Sequence, residues 1–285
     1  MSIEVKDISY TYMTKTPFER QALRNVTVTI EKGEFVAIIG HTGSGKSTLA
    51  EHLNGLLTPS TGTVCVDGVN LNGKGDKVRS AKHKVGIVFQ YPEHQLFAET
   101  IYEDIAFGPR NSGKSEEEVE KQVRKAMGFV GLDYDAFSTR SPFQLSGGQM
   151  RRVAIAGVIA MDPEYLIMDE PSAGLDPISR DAIFAQLSTV FKERDIAVIL
   201  ITHSMEEAAQ YASRLLVMAK GQIAIDGKTE LVFKEQRERL QEVGVDIPES
   251  IKITDLLCEK GLKLEKQAIT KEQLVQYIKK AKGWS

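Results

Sequence analysis

The run Gly40-His41-Thr42-Gly43-Ser44-Gly45-Lys46-Ser47-Thr48 constrains this chain more than any other stretch of it. It fits the phosphate-binding loop pattern G-x-x-x-x-G-K-S/T without a mismatch. Before it, Phe35-Val36-Ala37-Ile38-Ile39 is a short unbroken apolar run, as a parallel strand buried on both faces requires. After it, Leu49, Leu53, Leu56 and Leu57 recur at helical spacing and predict a helix. Strand, glycine loop and helix in that order aim backbone N–H groups at a polyphosphate. Lys46 then bridges β- and γ-phosphates and the Ser47 hydroxyl ligates Mg²⁺, so all residues from Gly40 to Thr48 are candidate ATP contacts.

A second stretch, Tyr165-Leu166-Ile167-Met168-Asp169-Glu170, reads as an apolar strand ending in adjacent carboxylates. Strand alternation turns neighbouring side chains to opposite faces, so Asp169 and Glu170 take different tasks. Asp169 suits the shell of the metal, reaching it through water. Glu170 suits the general base that orients the water attacking the γ-phosphorus. A third stretch, Leu145-Ser146-Gly147-Gly148-Gln149, precedes a run from Met150 to Met161 that reads as a buried helix. Its adjacent glycines let the backbone approach an anion at unusual dihedral angles. Unpaired N–H groups and the positive end of the helix dipole gather at such a start. Ser146, Gly147, Gly148 and Gln149 are therefore expected to grip a phosphate across a dimer interface.

Together these motifs resemble the ATP-binding-cassette (ABC) ATPases, over about residues 3 to 228. The resemblance implies further assignments. Gln90, ending Val85-Gly86-Ile87-Val88-Phe89, matches the Q-loop glutamine, catalytic and part of the metal shell. Ser172-Ala173-Gly174-Leu175-Asp176 matches the D-loop, with Asp176 its acidic residue. His203, ending Ala197-Val198-Ile199-Leu200-Ile201-Thr202, matches the switch histidine that contacts the γ-phosphate. Tyr12 is the aromatic expected to stack on adenine, with Tyr10 as the alternative. ATP and Mg²⁺ are the implied cofactors. One chain holds ATP on its loop, and Ser146, Gly147 and Gly148 of a second chain supply the last donors to the γ-phosphate.

Bulk properties narrow the reading. A chain of 285 residues holds one sizeable domain and an appendage. Its 42% hydrophobic and 26% charged content is that of a globular protein. A net charge of −3 argues against a nucleic-acid partner. The 2 cysteines, Cys65 and Cys258, offer no disulfide framework. The start, Met1-Ser2-Ile3-Glu4-Val5-Lys6-Asp7, lacks the regions of a signal peptide. No apolar run approaches the roughly 20 residues that span a bilayer. The chain is thus expected at the cytoplasmic face of the cell membrane, borrowing membrane segments from other subunits. His41, His52, His83 and His94 lack the spacing of a metal site.

The expected class is α/β, an ABC-type P-loop nucleotide-binding domain over residues 1–228. It combines a parallel core sheet, an antiparallel β-subdomain and a helical subdomain over about residues 91–160. Alternation in Asn25-Val26-Thr27-Val28-Thr29-Ile30 marks the antiparallel layer. Ser115 and Glu118 form a capping-box pattern in the helical insert, and Gly113 and Pro142 punctuate it. A helix is expected around residues 181–191, and Gly221-Gln222-Ile223-Ala224-Ile225-Asp226-Gly227 reads as a hairpin. Residues 229–285 are expected to form a small helical domain, divided by Pro248 and Gly261 into three helices. Thr270 and Gln273 repeat the capping-box pattern, and Leu274, Ile278 and Ala281 supply a narrow apolar stripe. So small a unit buries little alone, which suits packing on the core or on a partner and a role in dimerisation.

The stretch Phe89-Gln90-Tyr91-Pro92-Glu93-His94-Gln95-Leu96-Phe97 is similar to the Q-loop and Q-helix of energy-coupling-factor (ECF) ATPases, which drive vitamin and transition-metal uptake in prokaryotes. The run Ile105-Ala106-Phe107-Gly108-Pro109 and the C-terminal unit add to that likeness. Pro171 and the D-loop that follows resemble the second of the paired ATPases of that family. The implied partners are a paralogous ABC ATPase, an integral-membrane coupling subunit contacted through residues 90–97 and, indirectly, a substrate-binding membrane subunit. The alternative is the ATPase of an importer dedicated to a single solute, where the Pro-Glu-x-Gln-Leu-Phe pattern would be missing. A chromosome-maintenance or DNA-repair cassette would insert long coiled coils between the phosphate loop and the family's signature motif, here Ser146 to Gln149, and a translation factor would carry a pair of cassettes per chain. A merely structural ATP-binding protein would need neither Glu170 nor His203.

Overall fold

The computed structural model describes residues 1–264 and 266–284. The chain begins with β1 (Ser2–Tyr12) and β2 (Arg20–Glu31), paired antiparallel with Ile3 opposite Ile30 and Val5 opposite Val28. Those apolar pairs give the layer one buried face. The next elements are β3 (Phe35–Ile39), α1 (Lys46–Leu53), β4 (Thr61–Val66) and β5 (Val69–Asn70). β4 adds to the free edge of β1, so the antiparallel sheet has the order β2-β1-β4-β5. The helix after the glycine loop is shorter than its leucine spacing predicts. Gly55, at φ +76°, turns the chain, leaving Leu56 outside the helix and 58% exposed.

Then come α2 (Asp76–His83), β6 (Val85–Val88), α3 (Ile101–Asn111), α4 (Glu116–Phe129), α5 (Tyr134–Phe137) and α6 (Gly147–Ile159). Both arms of the Ser115–Glu118 capping box are made at the start of α4. The chain returns through β7 (Tyr165–Asp169), α7 (Pro177–Arg194), β8 (Ala197–Ile201), α8 (Met205–Tyr211), β9 (Arg214–Ala219) and β10 (Gln222–Lys228). A second sheet runs in the order β10-β9-β3-β8-β7-β6. β3 lies parallel to both β8 and β9, and β7 parallel to both β6 and β8. Every residue of β3, β7 and β8 is buried, as their unbroken apolar runs require. β9 and β10 form an antiparallel hairpin through Lys220 and Gly221.

Alternate residues of β3 serve opposite cores. Val36 and Ile38 join the antiparallel layer and α1, while Ala37 and Ile39 face the cluster built from the helical insert, α7 and α8. With both faces covered, the carboxyl ends of the parallel strands are the place for a ligand. Beyond β10 the chain forms α9 (Thr229–Glu235), α10 (Arg237–Glu242), α11 (Glu249–Glu259) and α12 (Lys271–Lys282). The expected first helix of this tail is two, because the backbone at Gln236 leaves helical geometry (φ −113°, ψ 31°). Val232, Phe233, Leu240 and Ile251 are fully buried in the larger core. On α12 only Leu274 of the expected stripe is buried; Ile278 is half-buried and Ala281 exposed, so the helix is docked by its first turns alone. Among the described residues, no helix is long and apolar enough to cross a membrane.

Candidate active site

Four strand ends, those of β3, β6, β7 and β8, converge on the site. At the end of β3 the loop turns through Gly40 (φ +149°), Gly43 (+80°) and Gly45 (+106°), backbone angles that favour glycine. A β-carbon on Gly40 would lie 2.2 Å from the Met218 carbonyl oxygen, and one on Gly45 would lie 2.8 Å from that of Ala22. α1 starts at Lys46 with no side-chain cap, leaving its first N–H groups for a ligand. The Lys46 side chain is buried, and its Nζ donates to the carbonyls of Gly40 (2.8 Å) and His41 (3.2 Å). Burial pulls its pKa below the ordinary value, while Glu170 and Asp169 pull the other way. Ser44 is buried too, and its Oγ has no hydrogen-bond partner among the described residues. His41 and Thr42 stand exposed at the rim, His41 Nδ1 meeting the Thr42 carbonyl at 2.8 Å.

Tyr12 and Tyr10 occupy different places beside this loop. The Tyr12 hydroxyl lies 3.2 Å from Thr48 Oγ1, at the start of α1. Tyr10 fills the space between Tyr12 and His52, its ring edge-on to each with centroids 4.8 Å apart. Tyr12 thus borders the cradle and Tyr10 buttresses it.

At the end of β7 the carboxylates diverge. Asp169 is buried and turned to the exposed Ser47; burial raises its pKa, opposed first by the hydrogen bond from the Ser47 hydroxyl. Glu170 takes a left-handed backbone (φ +50°), which ends the strand and swings its side chain away. Gln90 Nε2 donates to Glu170 Oε2 at 2.9 Å, and His203 Nε2 lies 2.7 Å from Glu170 Oε1. Residues from three strand ends therefore meet on one carboxylate, although Gln90 stands 80 positions from Glu170 in sequence. A carboxylate held on both oxygens has its direction set, which suits a base that must accept a proton from a placed water.

Ser146 is the N-cap of α6, which starts at Gly147, earlier than the apolar run predicts. Its Oγ accepts from the Gln149 N–H at 3.3 Å, and Gln149 Oε1 accepts from the Ser146 N–H at 3.1 Å. Gly147 and Gly148 are not among the residues of positive φ, so unusual dihedral angles do not explain them. A β-carbon on Gly147 would meet nothing within 4 Å, so the chain itself does not need glycine there. Ser146 and Gln149 bond one another rather than the Lys46 or Glu170 groups. Asp176 caps the start of α7, its Oδ1 accepting from the Ile178 N–H at 3.0 Å.

Two buried charges escaped the sequence reading. Arg151, one turn into α6, is 2% exposed and bonds Glu93, the Pro171 carbonyl and the Ala173 carbonyl. Glu207 accepts from Ser172 Oγ (2.6 Å) and from Thr202 Oγ1 (2.5 Å), joining the D-loop to the strand that carries His203. A signal existed for Glu207, since Ser204-x-x-Glu207 is a capping-box spacing. For Arg151 there was none: it is one of two adjacent arginines, with Arg152, on a mostly apolar helix.

The ABC transporter family profile matches residues 23–173. The ECF transporter ATP-binding protein EcfA2 of Clostridium perfringens is 52% identical over 283 residues, covering 98% of this chain and 99% of its own. The EcfA2 protein of Bacillus cereus (strain ATCC 14579) is 48% identical over 281 residues, covering 98% and 95%. The chain belongs to the ABC transporter family, in its energy-coupling factor branch. Among solved structures, CbiO1 of Clostridium perfringens, part of the ABC transporter complex CbiONQ, superposes with a TM-score of 0.74 at 34% identity, over 90% of this chain and 98% of that one. A dimeric ATP-binding cassette in a post-hydrolysis state with ADP and phosphate gives 0.70 at 30% identity, over 80% and 98%.

The residues of this ABC chain fit a nucleotide and its metal. Ser44 Oγ is a buried hydroxyl without a partner among the described residues, as suits a loop made for outside acceptors. The Ser47 hydroxyl beside the Asp169 carboxylate is the hard oxygen set that Mg²⁺ takes together with phosphate oxygens.

Proposed function

We propose that this chain is the ATP-hydrolysing subunit of an ECF importer of vitamins or transition-metal ions, working as a peripheral protein at the cytoplasmic face of the membrane. The carrying observation is the Glu170 carboxylate, aligned by Gln90 and His203 at the mouth of the phosphate cradle. Lys46 is drawn from the Gly40 and His41 carbonyls to the β- and γ-phosphates, an exchange of neutral acceptors for anionic ones. Ser44 and the free N–H groups of α1 take further phosphate oxygens, and Tyr12 stacks on the adenine. Mg²⁺, held by Ser47, Gln90 and, through water, Asp169, would neutralise charge on the β- and γ-phosphates. Glu170 orients a water for in-line attack and accepts its proton, while His203 donates to the γ-phosphate and Gln90 releases the carboxylate. Phosphoryl transfer needs mainly position and charge stabilisation, which these groups supply.

The second half of the site comes from a paralogous cassette. Ser146, Gly147 and Gly148 here serve the partner's nucleotide, and the open space at Gly147 supports that reading. Residues 90–97 meet the membrane coupling subunit, through which a substrate-binding membrane subunit is reached. The test is purification of the tagged chain from membranes, native mass spectrometry of what co-elutes, and ATP-dependent uptake after reconstitution. A complex of paired cassettes and membrane subunits that takes up a vitamin or metal ion is the expected outcome. Uptake driven by this chain alone with membrane subunits would overturn the pairing, and absence of ATP hydrolysis would overturn the function.

A further inference from the structure

Among the described residues the Arg151 guanidinium is the most heavily bonded buried charge, and nothing in the hydrolysis scheme uses it. Nε and Nη2 reach the Glu93 carboxylate at 2.9 and 2.7 Å, a fork-to-fork pair. Nη1 donates to the carbonyls of Pro171 (3.1 Å) and Ala173 (2.7 Å), in the loop that directly follows Glu170. The Tyr91 ring sits 5.8 Å from the guanidinium carbon, and Tyr91 itself holds a left-handed backbone (φ +53°) next to Gln90. One planar group thus joins the segment after Gln90, the signature helix α6 and the loop between Glu170 and Asp176. Burial pushes the Glu93 carboxyl up, but the hydrogen bonds from Arg151 hold it below its ordinary range. The pair is therefore charged. Stretching any arm would leave a buried cation short of a partner, which penalises displacing one segment without the others.

We propose that Arg151 is a positioning residue, the clamp that carries movement of residues 91–97 to both the Ser146 end of α6 and the loop after Glu170. The inference rests on the ATPase reading above. The far end of the segment is anchored as well, the Phe97 and Ala98 N–H groups donating to Asp104 Oδ2 at 2.9 Å each, so displacement at Phe97 is not absorbed locally.

The test compares the full-length chain with Glu93→Gln, which keeps size but loses the charge, and Arg151→Lys, which keeps the charge but loses the fork. Hydrogen–deuterium exchange is followed with and without ATP and magnesium. In the wild type, ATP should change exchange at residues 146–151 and at residues 91–97 together. In each variant residues 146–151 should still respond, while the response at 91–97 falls by at least about fivefold. KM for ATP should stay within about twofold while kcat drops, and the double variant should lose no more than either single one. A merely structural role would lower Tm and shrink both responses in proportion, and that result overturns the clamp. So does a variant whose 91–97 segment responds as in the wild type. A wild type that binds ATP but leaves 91–97 unmoved overturns the clamp and spares the ATPase reading; failure to bind ATP removes the reading itself.

Discussion

At Glu170 a single substitution separates chemistry from binding. Glu170→Gln keeps the size of the side chain and a hydrogen bond to Gln90 or His203, but the amide cannot accept the proton of the attacking water. Steady-state turnover should fall at least about a hundredfold while ATP still binds. Activity within about a factor of two of the wild type would take the base role from Glu170. His52 gives a pH prediction at the same scale. It is fully buried, its Nδ1 lies 2.7 Å from the Thr48 carbonyl, and Nε2 has no partner among the described residues. Burial holds its pKa below the ordinary 6.5, against a pull upward from the Thr48 bond. The unfolded chain therefore takes up a proton below pH 6.5 that the folded one refuses, so the contribution is whole above that pH and lost as pH falls. Urea midpoints of His52→Gln should decline less steeply on acidification than those of the wild type. Equal slopes would mean that His52 carries none of the acid sensitivity.

Among the elements, α6 carries a double assignment at its first residue. Ser146 caps the helix through Gln149, and it is also the proposed donor to a partner's phosphate. Different replacements part these roles. Ser146→Ala removes the cap and should cost about 0.5–2 kcal/mol of stability. Ser146→Asp keeps a good capping group and should hold the melting temperature near that of the wild type. Its negative charge would face phosphate, so ATP-dependent association with the partner cassette should be lost all the same. Sedimentation with and without ATP reads this directly; an Asp variant that still associates would confine Ser146 to capping. The capping pattern was legible in the sequence because it spans one turn. That Gly147 borders open space was not, since only neighbouring elements decide what surrounds a residue.

For the molecule as a whole, the parallel sheet and the tail are not independent. α9 packs on β9, β10 and α8, with Val232 and Phe233 fully buried. Burying such side chains is worth about 1.5–3 kcal/mol apiece. A chain cut after Lys228 should therefore lose several kcal/mol, a Tm drop on the order of 10 °C, or precipitate through the uncovered face. Scanning calorimetry of the 1–228 fragment checks this. An unchanged Tm would make the tail an accessory to assembly alone.

The strand, glycine loop and helix around Lys46, the all-buried strands and the antiparallel layer were legible in the sequence. Each rests on short-range pattern, a run of apolar residues or a period of two, which the backbone translates without outside help. Helix ends were legible only in part: the leucine spacing ran past Gly55, where a left-handed turn stops α1, and the break at Gln236 left no mark in composition. The meeting of Gln90, Glu170 and His203 on one carboxylate belongs to the tertiary structure. Sheet order brings the ends of β6, β7 and β8 side by side, and no local pattern encodes which strands become neighbours. Arg151 is the plainest case. In sequence it is a charge on a helix, and only the packing of two distant segments against that helix makes it a buried joint.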